Sequence, residues 1–225
     1  MSLDRVTITG ADDNTSIEEL FSLSLEFPFV EFGILVSSSR EGSPRYPSRD
    51  WCRRLNDKID GRTRISVHVC GLWAREIFAG TADFRKFPTL YPARMQINGT
   101  TATEGFTTRS IDQFPNTQFI IQYPRSQDFL EAARIQGVNI VPLFDESGGE
   151  GKRRESWPLP VPDFYCGFAG GIGLDNVATV VRDLSEKCST QFWIDMEGRV
   201  RDEKDRMDLD CVGQILGVCA PLVVA

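Results

Sequence analysis

Residues 140–145 read Ile-Val-Pro-Leu-Phe-Asp, a short and unbroken apolar run that ends directly on a carboxylate. A run of this length without alternation predicts a strand that is buried on both faces, as in a parallel sheet covered by helices. Pro142 is awkward there, because a central strand needs its backbone N–H groups. The same pattern returns at residues 192–195, so Asp145 and Asp195 are each predicted to follow a buried strand.

Working outward from this stretch, short apolar runs alternate with amphipathic segments along the whole chain. The predicted strands are residues 6–10, 32–36, 65–69, 94–97, 119–122, 140–144, 165–169 and 192–194. One predicted helix follows a capping box at Thr15 and Glu18, another begins at Ser48, and Ser126 caps the helix at residues 129–135. The remaining predicted helices cover residues 73–78, 175–184 and 209–216.

Eight strand–helix alternations predict parallel strands joined by crossover helices. We therefore expect an α/β fold, a single (β/α)8 TIM barrel with parallel strands and outer helices, over residues 1–225. A doubly wound sheet is the alternative. The apolar fraction of 41% in 225 residues permits one sizeable core and would also permit two small domains. No stretch is an obvious linker, and residues 146–162 are interpreted as one long loop.

The bulk composition excludes several classes of partner. The formal net charge of −7 argues against a nucleic-acid or anionic-membrane surface, because both require clustered basic residues. No apolar run approaches the length of a membrane span, and no secretory signal pattern precedes the first strand, so a cytoplasmic location is expected. The six cysteines form no Cys-x-x-Cys pair and accompany one histidine, which predicts free buried thiols, no metal and no cofactor. The oligomeric state is left open.

In a barrel, chemistry takes place just beyond the carboxyl ends of the strands. The polar residues predicted at those positions are Thr9, Arg45, His68, Gln96, Asn98, Gln122, Asp145, Glu146, Asp195 and Glu197. Each of them taken alone is more often a solvated loop residue. Asp145 and Asp195 are stronger candidates because each directly ends an apolar strand, whereas His68, between Val67 and Val69, is interpreted as a hydrogen-bonded interior residue.

Two glycine-bearing segments follow predicted strands, at residues 148–152 and 170–173. Glycines let backbone N–H groups approach an anion closely, and a helix N-terminus favours negative charge. The segment that includes Gly170 and Gly171 follows the seventh strand, where barrels often bind a phosphate. The first segment is not a P-loop, because Lys152 is not followed by Ser or Thr.

Several of these segments, in order and at similar spacing, resemble phosphoribosylanthranilate isomerase. Leu143-Phe144-Asp145 followed by a glycine-rich run and Trp157 resembles that family's Leu-Asp, Gly-Gly-Thr-Gly-Lys and Trp. The other resembling segments are Ser43-Pro44-Arg45-Tyr46, Gln96-Ile97-Asn98-Gly99, Phe168-Ala169-Gly170-Gly171-Ile172 with Asn176-Val177, and Ile194-Asp195-Met196-Glu197-Gly198-Arg199-Val200.

The resemblance implies an Amadori isomerase that acts on a phosphorylated small molecule, with Asp145 as general acid. It implies that Arg45, Gln96, Asn98 and Asp195 bind the substrate, with Arg45 near the anthranilate carboxylate. It also implies a phosphate cradle. The cradle residues are Gly170, Gly171, Glu197 and Gly198.

Two positions depart from the family pattern. Thr9 stands where the family has its general-base cysteine, and a threonine hydroxyl is not basic near neutral pH. Glu197 stands where a serine would help to bind phosphate. The sequence therefore predicts an isomerase-like enzyme with altered or lost Amadori activity. The alternatives are a non-catalytic or regulatory barrel that binds a small ligand, and a metal-dependent barrel using Asp145, Glu146 and Asp195.

Overall fold

The computed structural model describes residues 2–59, 63–88, 90, 92–99, 114–123, 127–145 and 156–223. Eight parallel strands close into a barrel in chain order, because each strand pairs with the next and the last pairs with the first. The predicted (β/α)8 barrel is confirmed. The strands are β1 (Leu3–Thr9), β2 (Val30–Ser37), β3 (Arg64–Cys70), β4 (Arg94–Ile97), β5 (Gln118–Tyr123), β6 (Ile140–Phe144), β7 (Cys166–Ala169) and β8 (Phe192–Met196).

Six α-helices lie among the described residues, and each follows a strand after which the sequence predicts one. They are α1 (Ile17–Glu26), α2 (Arg49–Lys58), α3 (Gly71–Phe78), α4 (Gln127–Ile135), α5 (Val177–Lys187) and α6 (Leu209–Cys219). Two short 3-10 segments occur at Phe84–Lys86 and Ala220–Leu222. Within the described part of the chain, no helix combines the length and apolar character needed to cross a membrane.

The N-cap of the first helix differs from the sequence prediction, whereas that of the second agrees with it. The N-cap of α1 is Ser16, whose hydroxyl accepts from the Glu19 amide, and the prediction of Thr15 was wrong. The Thr15 hydroxyl instead accepts from the Asp12 amide, 3.0 Å away, and so fixes the preceding turn. Ser48 caps α2 as predicted, through the Trp51 amide. Ser126 lies outside the described residues.

Pro142 is accommodated in β6 because pairing on one side of that strand begins late. The residue is aligned with Ile121 of β5, whereas pairing with β7 starts one position later, at Leu143. The side of β6 that faces β7 has no strand partner at the proline. A missing N–H there leaves the sheet intact.

Alternation along the strands divides the core in two. One large apolar cluster lies between the strands and the helices, and a second, smaller one fills part of the barrel interior. The interior cluster consists of Ile120, Val141, Leu143, Ala169 and Trp193. Since side chains alternate between the two faces of a strand, the residues at every second position of each strand face the barrel axis.

Trp193 sets the packing of the interior cluster. A Cβ atom added to Gly167, on the neighbouring strand β7, would lie 2.8 Å from one carbon of the Trp193 ring and closer still to two others. The indole is completely buried, so neighbouring side chains enclose it. Gly167 is therefore required because the Trp193 ring crosses the space that any side chain at this position would occupy.

The other half of the interior is polar and centres on Glu31. This buried carboxylate accepts from Arg5 at 2.8 Å, from the Thr7 hydroxyl at 3.0 Å and from Arg94 at 2.8 Å. The guanidinium of Arg94 also lies over the Trp193 ring, 4.2 Å from its centroid. This cluster links β1, β2, β4 and β8 below the level of the rim.

We expect Gly167→Ala to destabilise the protein by about 1–3 kcal/mol, because overpacking forces the Trp193 ring or the backbone to shift. Urea unfolding at neutral pH measures the change. The matched control is Gly217→Ala in α6, where an added Cβ meets no atom within 4 Å. This control removes a helix glycine and should stabilise by about 0.5–1 kcal/mol. Equal unfolding midpoints for the two variants would contradict the packing argument.

Candidate functional site

A cavity of about 960 Å³ opens at the carboxyl ends of the strands. Of the rim residues predicted from the sequence, Thr9 does not line this cavity and Glu146 lies outside the described residues. Those that do line it are Arg45, His68, Gln96, Asn98, Gln122, Asp145, Gly170, Gly171, Asp195, Glu197 and Gly198. The closed barrel thus brings together residues that lie on seven different strands or the loops after them.

Thr9 does not line the cavity itself but contacts Asp195, which does. It is 1% exposed at the end of β1, and its hydroxyl donates to Asp195 Oδ1 at 2.8 Å. The contact exists because β1 is paired with β8, which places Asp195 beside Thr7. Gly33 leaves the space that both Thr9 and His68 need, since a Cβ there would overlap the Thr9 hydroxyl and lie 2.8 Å from the His68 ring.

Asp195 is the most strongly perturbed carboxyl group at the rim. Burial raises its pKa from 3.8 to about 8, and the nearby charges of Glu197 and Asp145 act in the same direction. The hydrogen bond from Thr9 opposes this rise but does not cancel it. A carboxyl group with this pKa can either donate or accept a proton near neutral pH.

Asp145 follows β6 directly and is half-buried at the wall of the cavity. Gln122 Nε2 donates to its Oδ2 at 3.5 Å, so β5 helps to orient the carboxylate. The glycine-rich segment after it, including Glu146 and Lys152, lies outside the described residues.

The turn after β7 has the backbone conformation that only glycine adopts readily. Gly170 and Gly171 have φ values of +107° and +66°. Asn176 holds the turn, because its side chain donates to the Gly171 carbonyl at 2.9 Å and accepts from the Gly173 amide at 2.8 Å. These bonds delay the start of α5 to Val177, two residues after the predicted start.

Arg199 covers the same turn. Its guanidinium donates to the Gly171 carbonyl at 3.1 Å and to Asp175 at 2.8 Å, and its stem packs 3.1 Å from the position of a Cβ at Gly173. A cation therefore stands beside the glycine turn. The Glu197 carboxylate is ion-paired with Arg45 rather than with Arg199. This pairing reduces the repulsion that Glu197 would exert on an anion bound at the glycine turn.

Arg45 is held by two carboxylates. Its Nη1 donates to Glu197 at 2.8 Å, and its Nε and Nη2 donate to Asp205. Arg201, which is almost fully buried, joins the same group through Asp205 and through Asp12, 3.4 Å away. The sequence identified Arg45 and Glu197 as rim residues but did not identify Asp12, Arg201 or Asp205.

The wall formed by β3 and β4 carries a chain of hydrogen bonds. Gln96 Nε2 donates to Asn98 Oδ1 at 2.7 Å, and Asn98 Nδ2 contacts Cys70 Sγ at 3.1 Å. Cys70 lines the cavity, and burial raises the pKa of its thiol. The sequence prediction treated all six cysteines as buried core thiols. The signal it missed is that Cys70 directly ends an apolar strand, as Asp145 does.

His68 agrees with its interpretation as an interior histidine. It is 1% exposed, and its Nε2 lies 2.6 Å from the Ser66 hydroxyl. Burial, with a smaller effect from Arg94, lowers its pKa to about 3. The imidazole is thus neutral near pH 7 and cannot serve as a cationic general acid there. Across the described ranges, no group of three or more His, Cys, Asp or Glu side chains is arranged to hold a metal ion.

Comparison with known proteins gives a structural likeness and no sequence match. No family model and no curated protein match the chain. Phosphoribosylanthranilate isomerases predominate among the similar solved structures. The enzyme from Thermotoga maritima has a TM-score of 0.64 at 17% identity, with 98% of this chain and all of that chain covered. The enzyme from Thermus thermophilus gives 0.63 at 12% identity, with 97% and 99% covered.

A third similar structure holds a ligand. It is a phosphoribosylanthranilate isomerase in complex with reduced 1-(o-carboxyphenylamino)-1-deoxyribulose 5-phosphate, with a TM-score of 0.59 at 17% identity and coverage of 98% of this chain and all of that one. At these identities the likeness concerns the fold. The family resemblance inferred from the motifs is therefore confirmed at the level of the barrel.

We expect the stability of the wild-type protein, relative to Asp195→Asn, to fall as pH rises from about 4 to about 8. The unfolded chain ionises Asp195 near 3.8 and the folded chain near 8, so the folded state binds the extra proton between these values. Urea unfolding of both proteins at pH 5, 6.5 and 8 measures this difference.

Asp205→Asn serves as the control for that experiment. Arginine partners hold the pKa of Asp205 below its usual value, so its contribution to stability is lost only as pH falls through the acid range. The stability difference between wild type and Asp205→Asn should therefore stay constant from pH 5 to 8. A constant difference for Asp195→Asn as well would show that Asp195 is ionised in the folded protein throughout this range.

Proposed function

We propose that this protein is an isomerase-like enzyme that transfers protons within a phosphorylated, sugar-like small molecule, with Asp145 as general acid. The observation that carries the proposal is the Asp195 carboxyl group. It lies in the wall of a polar cavity, its pKa is raised to about 8, and it shares that cavity with a second carboxylate and a glycine turn. Strongly perturbed carboxyl groups in a cleft are typical of catalytic sites.

The proposed reaction moves a proton from one carbon to a neighbouring position and therefore needs a proton donor and a proton acceptor. Asp145 supplies the donor. The Thr9 hydroxyl cannot accept a proton from carbon unaided, but it donates a hydrogen bond to Asp195 and so orients that carboxylate. In this proposal Asp195 contacts the substrate and accepts the proton when ionised, and Thr9 is a positioning residue.

The glycine frame supports a phosphate group as the anchor of the substrate. Gly170 and Gly171 have positive φ values, a backbone conformation used by turns that present N–H groups to an anion, and α5 begins shortly after them. Gly198 lines the same cavity. Arg199 supplies a positive charge beside this frame, which favours an anion.

The alternative is a barrel that binds such a molecule without turnover. It is favoured by the loss of the cysteine at position 9 and by the near-complete burial of Thr9, which keeps the hydroxyl away from the cavity surface. Binding alone would require the glycine turn but would not require Asp145 or Asp195 to change protonation.

Hydrogen–deuterium exchange at carbon separates the two functions. The protein is incubated in D2O near neutral pH with a panel of five- and six-carbon aldose and ketose phosphates, and ¹H NMR follows the protons beside the carbonyl group. We expect exchange in at least one compound. Asp145→Asn should slow it by about 10²–10⁴-fold, because it removes general acid catalysis.

The matched control for that assay is Asp50→Asn, an exposed carboxylate on α2 away from the cavity, which should exchange at the wild-type rate. Binding of these phosphates without exchange in any of them would favour the non-catalytic barrel. If the compounds neither bind nor exchange, the phosphorylated substrate itself is wrong.

We further expect phosphoribosylanthranilate isomerase activity to be absent or very slow. The family's reaction uses a general base at the position of Thr9, which cannot accept the proton, and loss of a general base from its required position costs about 10²–10⁴-fold in rate. The measurements are kcat/KM with phosphoribosylanthranilate and growth of an isomerase-deficient tryptophan auxotroph at normal expression.

Thr9→Cys should raise that kcat/KM, because it restores a thiol at the position of the base. Thr9→Ser is the matched control and should leave it unchanged. Growth of the auxotroph on the wild-type gene would refute the loss of activity.

A further inference from the structure

Arg45 lies at the mouth of the cavity, and each of its three guanidinium nitrogens already donates to a carboxylate of this chain. Glu197 binds Nη1 at 2.8 Å, and Asp205 binds Nε and Nη2 with distances from 2.8 to 3.2 Å. Asp205 thus occupies one edge of the guanidinium and Glu197 binds the remaining nitrogen. An arginine recognises a ligand carboxylate through these same nitrogens.

The loops around Arg45 hold it in this position. The Arg45 backbone amide donates to Asp12 at 2.9 Å, and Arg45 has a φ of +72°, a conformation that needs support from its surroundings. Arg201 donates to the Gly10 carbonyl at 2.7 Å and to Asp205 at 2.8 Å. The loops after β1, β2 and β8 therefore all contribute to holding the ion pair of Arg45 and Glu197.

Displacement of Glu197 by a ligand carboxylate would be unfavourable. Burial already raises the pKa of Glu197, and Arg45 provides the largest opposing effect. Without that arginine, Glu197 would be left in the cavity beside the carboxyl groups of Asp145 and Asp195, with the ligand carboxylate added to them. Like charges that lose their counter-ion in a partly buried site repel strongly.

We infer that Glu197 is a specificity-determining residue, which occupies Arg45 and so selects a phosphorylated substrate with no carboxylate at the end away from the phosphate. This inference rests on the proposed function, since it takes the phosphorylated, sugar-like ligand as given. It identifies the substrate class by charge: a single anionic group bound at the glycine turn, and an uncharged or hydroxyl-bearing group beside Arg45.

Two probes that differ in one carboxylate test the inference. One is reduced 1-(o-carboxyphenylamino)-1-deoxyribulose 5-phosphate, and the other is its counterpart with a phenylamino group. Isothermal calorimetry gives the ratio of their Kd values for wild type and for Glu197→Gln. We expect wild type to bind the phenylamino probe at least as tightly, and Glu197→Gln to shift the ratio about tenfold toward the carboxylate probe.

Glu41→Gln is the matched control, because it removes the same charge from an exposed residue of the loop after β2 that pairs with Arg49. Its ratio should equal that of wild type. Glu197→Ser provides a second variant at the tested position and should shift the ratio in the same direction as Glu197→Gln.

A ratio left unchanged by both Glu197 variants overturns the inference while leaving the proposed function standing, because the probes still bind. A wild-type protein that prefers the carboxylate probe overturns it in the same way. If neither probe binds to wild type or to either variant, the phosphorylated substrate of the proposed function is wrong and the inference fails with it.

Discussion

The barrel interior depends on the ion pairs that the buried Glu31 carboxylate forms with Arg5 and Arg94. A charge inside a fold must be paired, since removing one partner of a buried pair costs about 3–5 kcal/mol. Here the partners come from β1 and β4, while Glu31 itself lies on β2. Because Arg94 also lies over Trp193, the ion cluster is joined to the apolar cluster that fills the remaining interior. Together they close the barrel below the rim and leave the space above them for a cavity.

At the rim of the barrel, unlike in its interior, not every carboxyl group has a cationic partner among the contacts described. Several carboxyl groups converge on the cavity, and the chain does not neutralise all of them equally. Glu197 and Asp205 are paired with Arg45, whereas Asp195 receives only the Thr9 hydroxyl among the contacts described, and its pKa rises to about 8. This uneven compensation destabilises the fold as pH rises, and it also produces a carboxyl group able to exchange a proton near neutral pH.

The likeness to phosphoribosylanthranilate isomerases covers nearly the whole chain, yet the identity is only 17% or less among the structures compared. A barrel of this kind supports many reactions, because its chemistry depends on loop and strand-end residues rather than on the frame. In this protein the frame agrees with those enzymes, whereas its sequence departs from the family's motif pattern at Thr9 and Glu197. Under the proposed function these two positions affect proton transfer and specificity.

The sequence by itself determined the eight strands, their order and the residues that follow them, because apolar period and chain order are local properties. It therefore placed Asp145, Asp195 and the glycine turn at one rim. Only the tertiary structure decided which of these groups are paired. Thr9 bonds to Asp195 across 186 residues and Arg45 to Asp205 across 160, and no local pattern encodes such contacts. Barrel closure brings β1 beside β8, and the charge of each rim group is set by the partner that this closure supplies.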